Sequence, residues 1–233
     1  IMFDSGGYSL KSRMETMHGD MGGAAAVIGA IRAIALEKLP VNVIAVVAAC
    51  KNMISGDAYV PGDILFSMNG KKIEMLNSDA EGRLTLADAL TYAIRKENAG
   101  SIIDIATLTG AAQGAVGVRS SAVFSNDEEL YAEVEEASER ACEKIWRLPL
   151  DKELFPVIES EVADIKNSAQ GSTMGGGAIV AGLFLQEFVE DHSWVHVDIA
   201  PVSWESKDID YSIKGATGYG VSLLYETVKV ISR

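Results

Sequence analysis

The chain has 233 residues, 48% hydrophobic and 23% charged, so it can enclose a sizeable core and does not read as disordered. Its 33 acidic against 20 basic residues leave a formal charge of -13, which repels nucleic-acid phosphates and anionic lipid surfaces, so neither nucleic acid nor membrane is expected as a partner. Two cysteines, Cys50 and Cys142, exclude a disulfide framework and a cysteine-based zinc site, and a reducing, cytoplasmic setting is expected.

The chain opens on Ile1-Met2-Phe3-Asp4, already inside a strand, as a piece of a longer protein would. That strand ends in a carboxylate and turns at Gly6-Gly7, a common place for chemistry in α/β proteins. Asp20 precedes Gly22-Gly23 and a helix to about Lys38, with Ala24, Val27, Ile28, Ile31 and Ala35 as its apolar stripe. Val41 to Cys50 is a continuous β-branched and apolar run, read as a buried strand, and the longest apolar run, Val43 to Cys50, is too short to span a membrane. Asn69-Gly70 between Ile64–Ser67 and Lys71–Met75 signals a hairpin. A helix from about Arg83 to Lys96, a strand over Ser101 to Ala106 and another over Ser120 to Phe124 follow. Asn126 with Glu129 reads as a capping pair for a helix to about Cys142, and Asp151 to Ile158 as a short helix. Asn167 to Gly177 reads as a flexible loop before a helix over Ala178 to Val189, Trp194 to Ala200 as a strand, and Thr217 to about Ile231 as the closing helix. Alternating strands and helices predict one domain over residues 1–233, a three-layer α/β/α sandwich with a mixed, mostly parallel sheet.

The stretch Asn77-Ser78-Asp79-Ala80-Glu81-Gly82-Arg83-Leu84 carries the densest chemistry. In extended backbone, Asp79, Glu81 and Arg83 would share a side, bringing two carboxylates together beside a cation. Like charges held that close resist joint ionisation unless a cation neutralises them, which points to a divalent ion; an acidic pair before a helix also serves simply to complement the helix dipole. Asp4, Asp20, Asp79 and Glu81 with Lys11 and Arg83 interleaved match what a two-metal hydrolytic site needs: bridging carboxylates and a cation for the developing oxyanion. His196 and Asp198, two apart on one strand, read as a buried hydrogen-bonded pair, Gly175-Gly176-Gly177 as close packing at a helix start, and Cys50 as an inert buried thiol.

The eight-residue stretch resembles the signature of the leucine aminopeptidase (cytosol aminopeptidase, M17) family, where Ser78 is usually Thr. The blocks Phe3-Asp4-Ser5-Gly6-Gly7 with Lys11, Asp20-Met21-Gly22-Gly23-Ala24-Ala25, Pro61-Gly62-Asp63, Ala106-Thr107-Leu108-Thr109-Gly110 and Lys214-Gly215-Ala216-Thr217-Gly218-Tyr219-Gly220 resemble that family's blocks, in its order. The resemblance implies a metal-dependent exopeptidase in which Asp4 and Glu81 bridge two divalent ions (zinc or manganese, or magnesium), Asp79 completes one site, and Asp20 with a lysine completes the other. It implies that Lys11 stabilises the gem-diolate, that Arg83 holds a bicarbonate acting as general base, and that Met17, Asn77, Thr107, Leu108, Gly110 and Ala200 line the pocket for the first side chain of a peptide with a free N-terminus. It further implies a homohexamer. Three departures stand out. The family's metal-binding lysine belongs to a Gly-Lys-Gly segment upstream of Ile1, the Lys11–Asp20 segment is shorter than usual, and Pro201 replaces a glycine. A catalytically impaired or regulatory relative that keeps the fold and binds metal incompletely is therefore the alternative.

Overall fold

The computed structural model describes residues 1–233. Its centre is a four-stranded sheet in the order β5 (Ser101–Ala106), β9 (Ser193–Asp198), β6 (Ser121–Ser125) and β7 (Ile145–Arg147). β5 pairs in parallel with β9 and β6 with β7, while β6 and β9 run antiparallel. Strand alternation divides β9 between two cores. Val195 and Val197 face α1 (Gly22–Glu37), α4 (Glu128–Ala141) and α6 (Val221–Ile231), while Trp194 faces α2 (Gly82–Arg95), α3 (Gly110–Val116) and α5 (Gly177–Gln186). This is the three-layer α/β/α architecture expected from the sequence. Smaller pieces complete it: β1 (Phe3–Asp4) parallel to β2 (Lys51–Asn52), the hairpin β3 (Ile64–Phe66) and β4 (Lys72–Glu74) with β8 (Ile165–Lys166) added in parallel, and the antiparallel pair β10 (Trp204–Glu205) and β11 (Gly215–Ala216).

Several expectations need correction. Of the run Val41 to Cys50, residues 42–50 form no helix, turn, bend or ladder, and pairing begins only at Lys51. A strand needs a neighbour on which to spend its N–H and C=O groups, and this stretch has none beside it. Helix α1 buries Gly23, Ala26, Ala30 and Ile34, whereas the stripe Ala24, Val27, Ile28, Ile31 and Ala35 stays half-exposed or exposed. Close approach decides this: a Cβ on Gly23 would lie 2.0 Å from the Ile105 carbonyl oxygen, so only the smallest face of α1 fits against β5. The span Met17–Glu37 is, at 21 residues, long and apolar enough to cross a bilayer by length and composition, and α1 packs one narrow face on β5 and α6. The cap of α4 is Asp127, which accepts from the Leu130 N–H at 2.9 Å, and Asn126 instead ties the strand ends together through Trp194 N–H at 2.8 Å. Helix α6 begins at Val221, four residues after Thr217, because Gly218 and Gly220 take positive φ. The 152–158 segment is a 3-10 helix, and Cys50 is half-buried.

Candidate metal centre

Each acid arrives at the centre from the end of a different element. Asp4 closes β1 and is fixed by two donors to Oδ1, the Asn52 amide and the Gly6 N–H, both at 2.8 Å. Gly6 and Gly7 have φ of +83° and +58°, and a Cβ on Gly6 would stand 2.6 Å from Ser9 O, so the turn that returns Lys11 to the site requires glycine. Asp20 sits just before α1, where Thr107 Oγ1 donates to its Oδ1 at 2.7 Å. Glu81 is the N-cap of α2, held by a loop that Ser78 stitches to the β1 turn: its hydroxyl donates to Gly6 O at 2.7 Å and accepts from Ser9 N–H at 2.6 Å. Asn167 supports the same loop, accepting from Leu76 N–H at 2.9 Å and donating to Asn77 O at 2.7 Å.

The 79–81 backbone turns instead of alternating, with Glu81 at φ -78° and ψ -31°, yet Asp79, Glu81 and Arg83 all border one cavity. Glu81 joins Asp4 and Asp20, and the three offer carboxylate oxygens all within 4.8 Å of one another. Asp79 turns to Lys11, whose ammonium lies 2.6 Å from Asp79 Oδ1 and 2.7 Å from Asp4 Oδ2. Arg83 is buried, its guanidinium 6.0 Å from the Phe184 ring and its Nε without a hydrogen-bond partner.

Electrostatics mark the cluster as short of positive charge. Burial, then the neighbouring Asp4 charge, pushes the Glu81 carboxyl up to about 8, and its buried Oε2 has no hydrogen-bond partner. Burial lifts Asp20 to about 6 despite the Thr107 hydroxyl. Burial works against the Lys11 ammonium, but hydrogen bonds and charge from Asp4 and Asp79 outweigh it and raise its pKa. Burial brings Arg83 down to about 10, partly offset by the charges of Asp198 and Glu81. An all-oxygen donor set with an orphaned carboxylate oxygen fits a hard divalent cation.

This has a consequence for stability. Glu81 and Asp20 hold protons in the folded state to higher pH than in the unfolded chain, so their contribution is present in acid and is lost as pH rises through about 6 and then about 8. The metal-free protein is therefore expected to melt several degrees lower at about pH 8 than at about pH 5. Glu81→Gln should flatten much of that fall, and a divalent ion should reverse it at the alkaline end. Calorimetric scans across pH, with and without manganese, check both.

Of the residues expected around the first side chain, Thr107 and Leu108 line a cavity of about 200 Å³ that Asp20, Asp79, Glu81 and Arg83 also border. Met17 lies in a 3-10 turn before Asp20, and Asn77 Oδ1 accepts from Asp79 N–H at 2.9 Å. Gly110 opens α3, and Ala200 N–H donates to Asp198 Oδ1 at 3.1 Å. These four stand outside the walls of that cavity. His196 is buried, but its partner is Asp104, at 2.6 Å, and not Asp198, which instead accepts from the Thr109 hydroxyl at 2.7 Å. The supporting roles of Asn52 and Asn167 escaped the sequence reading. Asn167 sits at the head of a run of small polar residues that suggests only a loop, yet it is fully buried.

The family profile described as "Cytosol aminopeptidase family, catalytic domain" matches residues 1–225. The chain belongs to the cytosol aminopeptidase family. It is 54% identical over 231 residues to the "Probable cytosol aminopeptidase" of Clostridium perfringens (strain 13 / Type A), covering 97% of this chain and 46% of that protein. It is 52% identical over 231 residues to the "Probable cytosol aminopeptidase" of Synechococcus sp. (strain JA-3-3Ab), covering 98% and 44%. The chain thus spans about half the length of the curated relatives it matches. Among solved structures it superposes on "Bottromycin maturation enzyme BotP in complex with Mn" with a TM-score of 0.92 at 38% identity, covering 100% of this chain and 52% of that one.

Proposed function

We propose that this chain is the ion-binding catalytic part of an exopeptidase that releases the N-terminal residue from peptides. The observation that carries the reading is the convergence of Asp4, Asp20 and Glu81 within 4.8 Å, with Glu81 Oε2 buried and unpartnered and the Lys11 ammonium 2.7 Å from Asp4. Asp4, Asp20, Asp79 and Glu81 would hold two divalent ions, manganese or zinc with magnesium as a further candidate. When bound, such ions activate water, polarise the scissile carbonyl and anchor the free α-amine. Lys11 supplies positive charge for the carbonyl oxygen as it turns anionic. Arg83, buried and with Nε free, is suited to hold a small anion, for which bicarbonate in the role of general base is our reading. Met17, Asn77, Thr107, Leu108, Gly110 and Ala200 would surround the first side chain of the substrate. The names of the relatives support a cytoplasmic setting, and a homohexamer rests on the family resemblance.

One observation favours a second reading. Lys11 clamps the place between Asp4 and Asp79, so the chain as it stands is suited to hold one ion more readily than two, as an impaired or regulatory relative would.

Hydrolysis of leucine-p-nitroanilide by the full-length protein, supported by manganese or zinc and lost on chelation, is the expected result. A folded full-length preparation with neither bound ions nor activity would overturn the enzyme reading. Arg83→Ala should lower kcat by about 100-fold while the ions stay bound. Loss of the ions in that variant would overturn the anion-holding role.

A further inference from the structure

Asp198 closes β9 and is 1% exposed, yet it is not one of the three clustered acids, and the buried His196 pairs with Asp104 instead of with it. A carboxylate taken that far from water needs donors around it, and this one has four. Its Oδ1 accepts from Leu108 N–H at 3.1 Å, Thr109 N–H at 3.3 Å and Ala200 N–H at 3.1 Å, and its Oδ2 accepts from the Thr109 hydroxyl at 2.7 Å. The same hydroxyl accepts from Ala112 N–H at 3.0 Å, which caps α3. A single side chain therefore joins the turn that leaves β5 to the turn that leaves its neighbour β9.

Leu108 is held between two pins. On one side Thr107 Oγ1 donates to Asp20 Oδ1 at 2.7 Å, and on the other Thr109 is bound to Asp198. The Leu108 side chain lies against Gly82, the residue after Glu81: a Cβ there would stand 3.1 Å from Leu108 Cδ1. Leu108 thus flanks the acid cluster as an apolar wall whose backbone is fixed at both ends, and Ala200 is fixed through the same Asp198 oxygen. A wall discriminates between side chains only as far as it is held, since one that retreats admits large and small groups alike. Resting on the exopeptidase reading above, we propose that Asp198 is a positioning residue for specificity, which fixes Leu108 and Ala200 at the pocket for the first side chain of the substrate through its bonds to the two turns. Asp198 touches neither the ions nor the substrate and acts only through what it holds. A carboxylate suits the task because both of its oxygens accept, whereas the amide of an asparagine of the same shape has a single acceptor oxygen and would lose the Thr109 hydroxyl.

Steady-state kinetics of the full-length protein on leucine-p-nitroanilide and alanine-p-nitroanilide test this in four forms: unsubstituted, Asp198→Asn, Thr109→Val and Thr109→Ser. In Asp198→Asn and Thr109→Val the ratio of kcat/KM for leucine over alanine should fall about tenfold, chiefly through a higher KM for the leucine substrate, because a branched side chain reaches the wall and a methyl group does not. Thr109→Ser keeps the hydroxyl and should keep the ratio. Manganese titration should give the same stoichiometry in all four forms. Equal proportional losses on both substrates, as from a merely structural role, or an unchanged ratio, or a lost ion, would overturn the proposal and leave the exopeptidase reading standing. An unsubstituted protein that hydrolyses neither substrate would overturn both. Should Asp198→Asn fail to fold, Thr109→Val decides the matter, since it leaves the carboxylate and its three N–H donors in place.

Discussion

Glu81→Ala is expected to abolish divalent-ion binding at the acid cluster while leaving the fold intact. Glu81 contributes the carboxylate oxygen that is buried without a hydrogen-bond partner, in a cluster with Asp4 and Asp20, so the protein itself does not satisfy it. Removing an outer partner of a metal ligand typically costs about 10–100-fold in affinity, and removing a ligand itself should cost more. The sign of the stability effect separates a ligand from a structural residue. Metal-free Glu81→Ala should melt above the unsubstituted protein at about pH 8, because a buried carboxylate beside Asp4 and Asp20 destabilises the fold when ionised. Calorimetric titration with manganese, alongside melting scans, reads both. An unchanged ion stoichiometry and affinity would remove Glu81 from the site.

Gly23→Ala should have the largest effect on stability of any small substitution in the chain. Within a helix this exchange ordinarily stabilises by about 0.5–1 kcal/mol. Here the new Cβ would meet Ile105 O at 2.0 Å, Ile105 C at 2.7 Å and Ala106 Cα at 2.8 Å, all of them backbone atoms that cannot rotate away. Either α1 lifts from β5 or β5 shifts, and the cost should reach about 4 kcal/mol or more. Asp20 precedes this helix by two residues, so ion affinity should fall along with stability. Gly114→Ala in α3, where nothing lies within 4 Å of the added carbon, serves as the contrast and should be neutral or slightly stabilising. Denaturant unfolding of the two variants measures the difference, and equal midpoints would contradict the packing described for α1.

Much of this was legible in the chain because local pattern and tertiary setting agree. β5, with its run Ser101 to Ala106, and the Asn69-Gly70 hairpin are strands for reasons contained in their own residues. The acids of the site were legible from their placement beside turns and from the resemblance of the signature stretch. What pattern alone could not supply depends on partners far along the chain. The apolar stripe of α1 is a good core face by periodicity, yet the helix presents its glycine and alanine side to β5 because backbone proximity there excludes larger groups. The run through residues 42–50 has the composition of a strand but lacks a neighbour. The extended backbone expected across Asp79, Glu81 and Arg83 is replaced by a turn under tethers from Ser78 and Asn167, bonds that span 72 and 90 residues and leave no local trace, while the three side chains still border one cavity.

Those tethers also bear on the order of events when the protein folds. Asp4 and Glu81 stand 77 positions apart in the chain, and the bonds that hold their loops together close only when distant segments have already met. Closing such long loops consumes entropy before any contact at the site returns it, so the acid cluster is a product of the assembled sheet and not a seed for it. Ion uptake then belongs to the end of folding, and the affinity of the cluster for its cation measures how completely the chain has arrived.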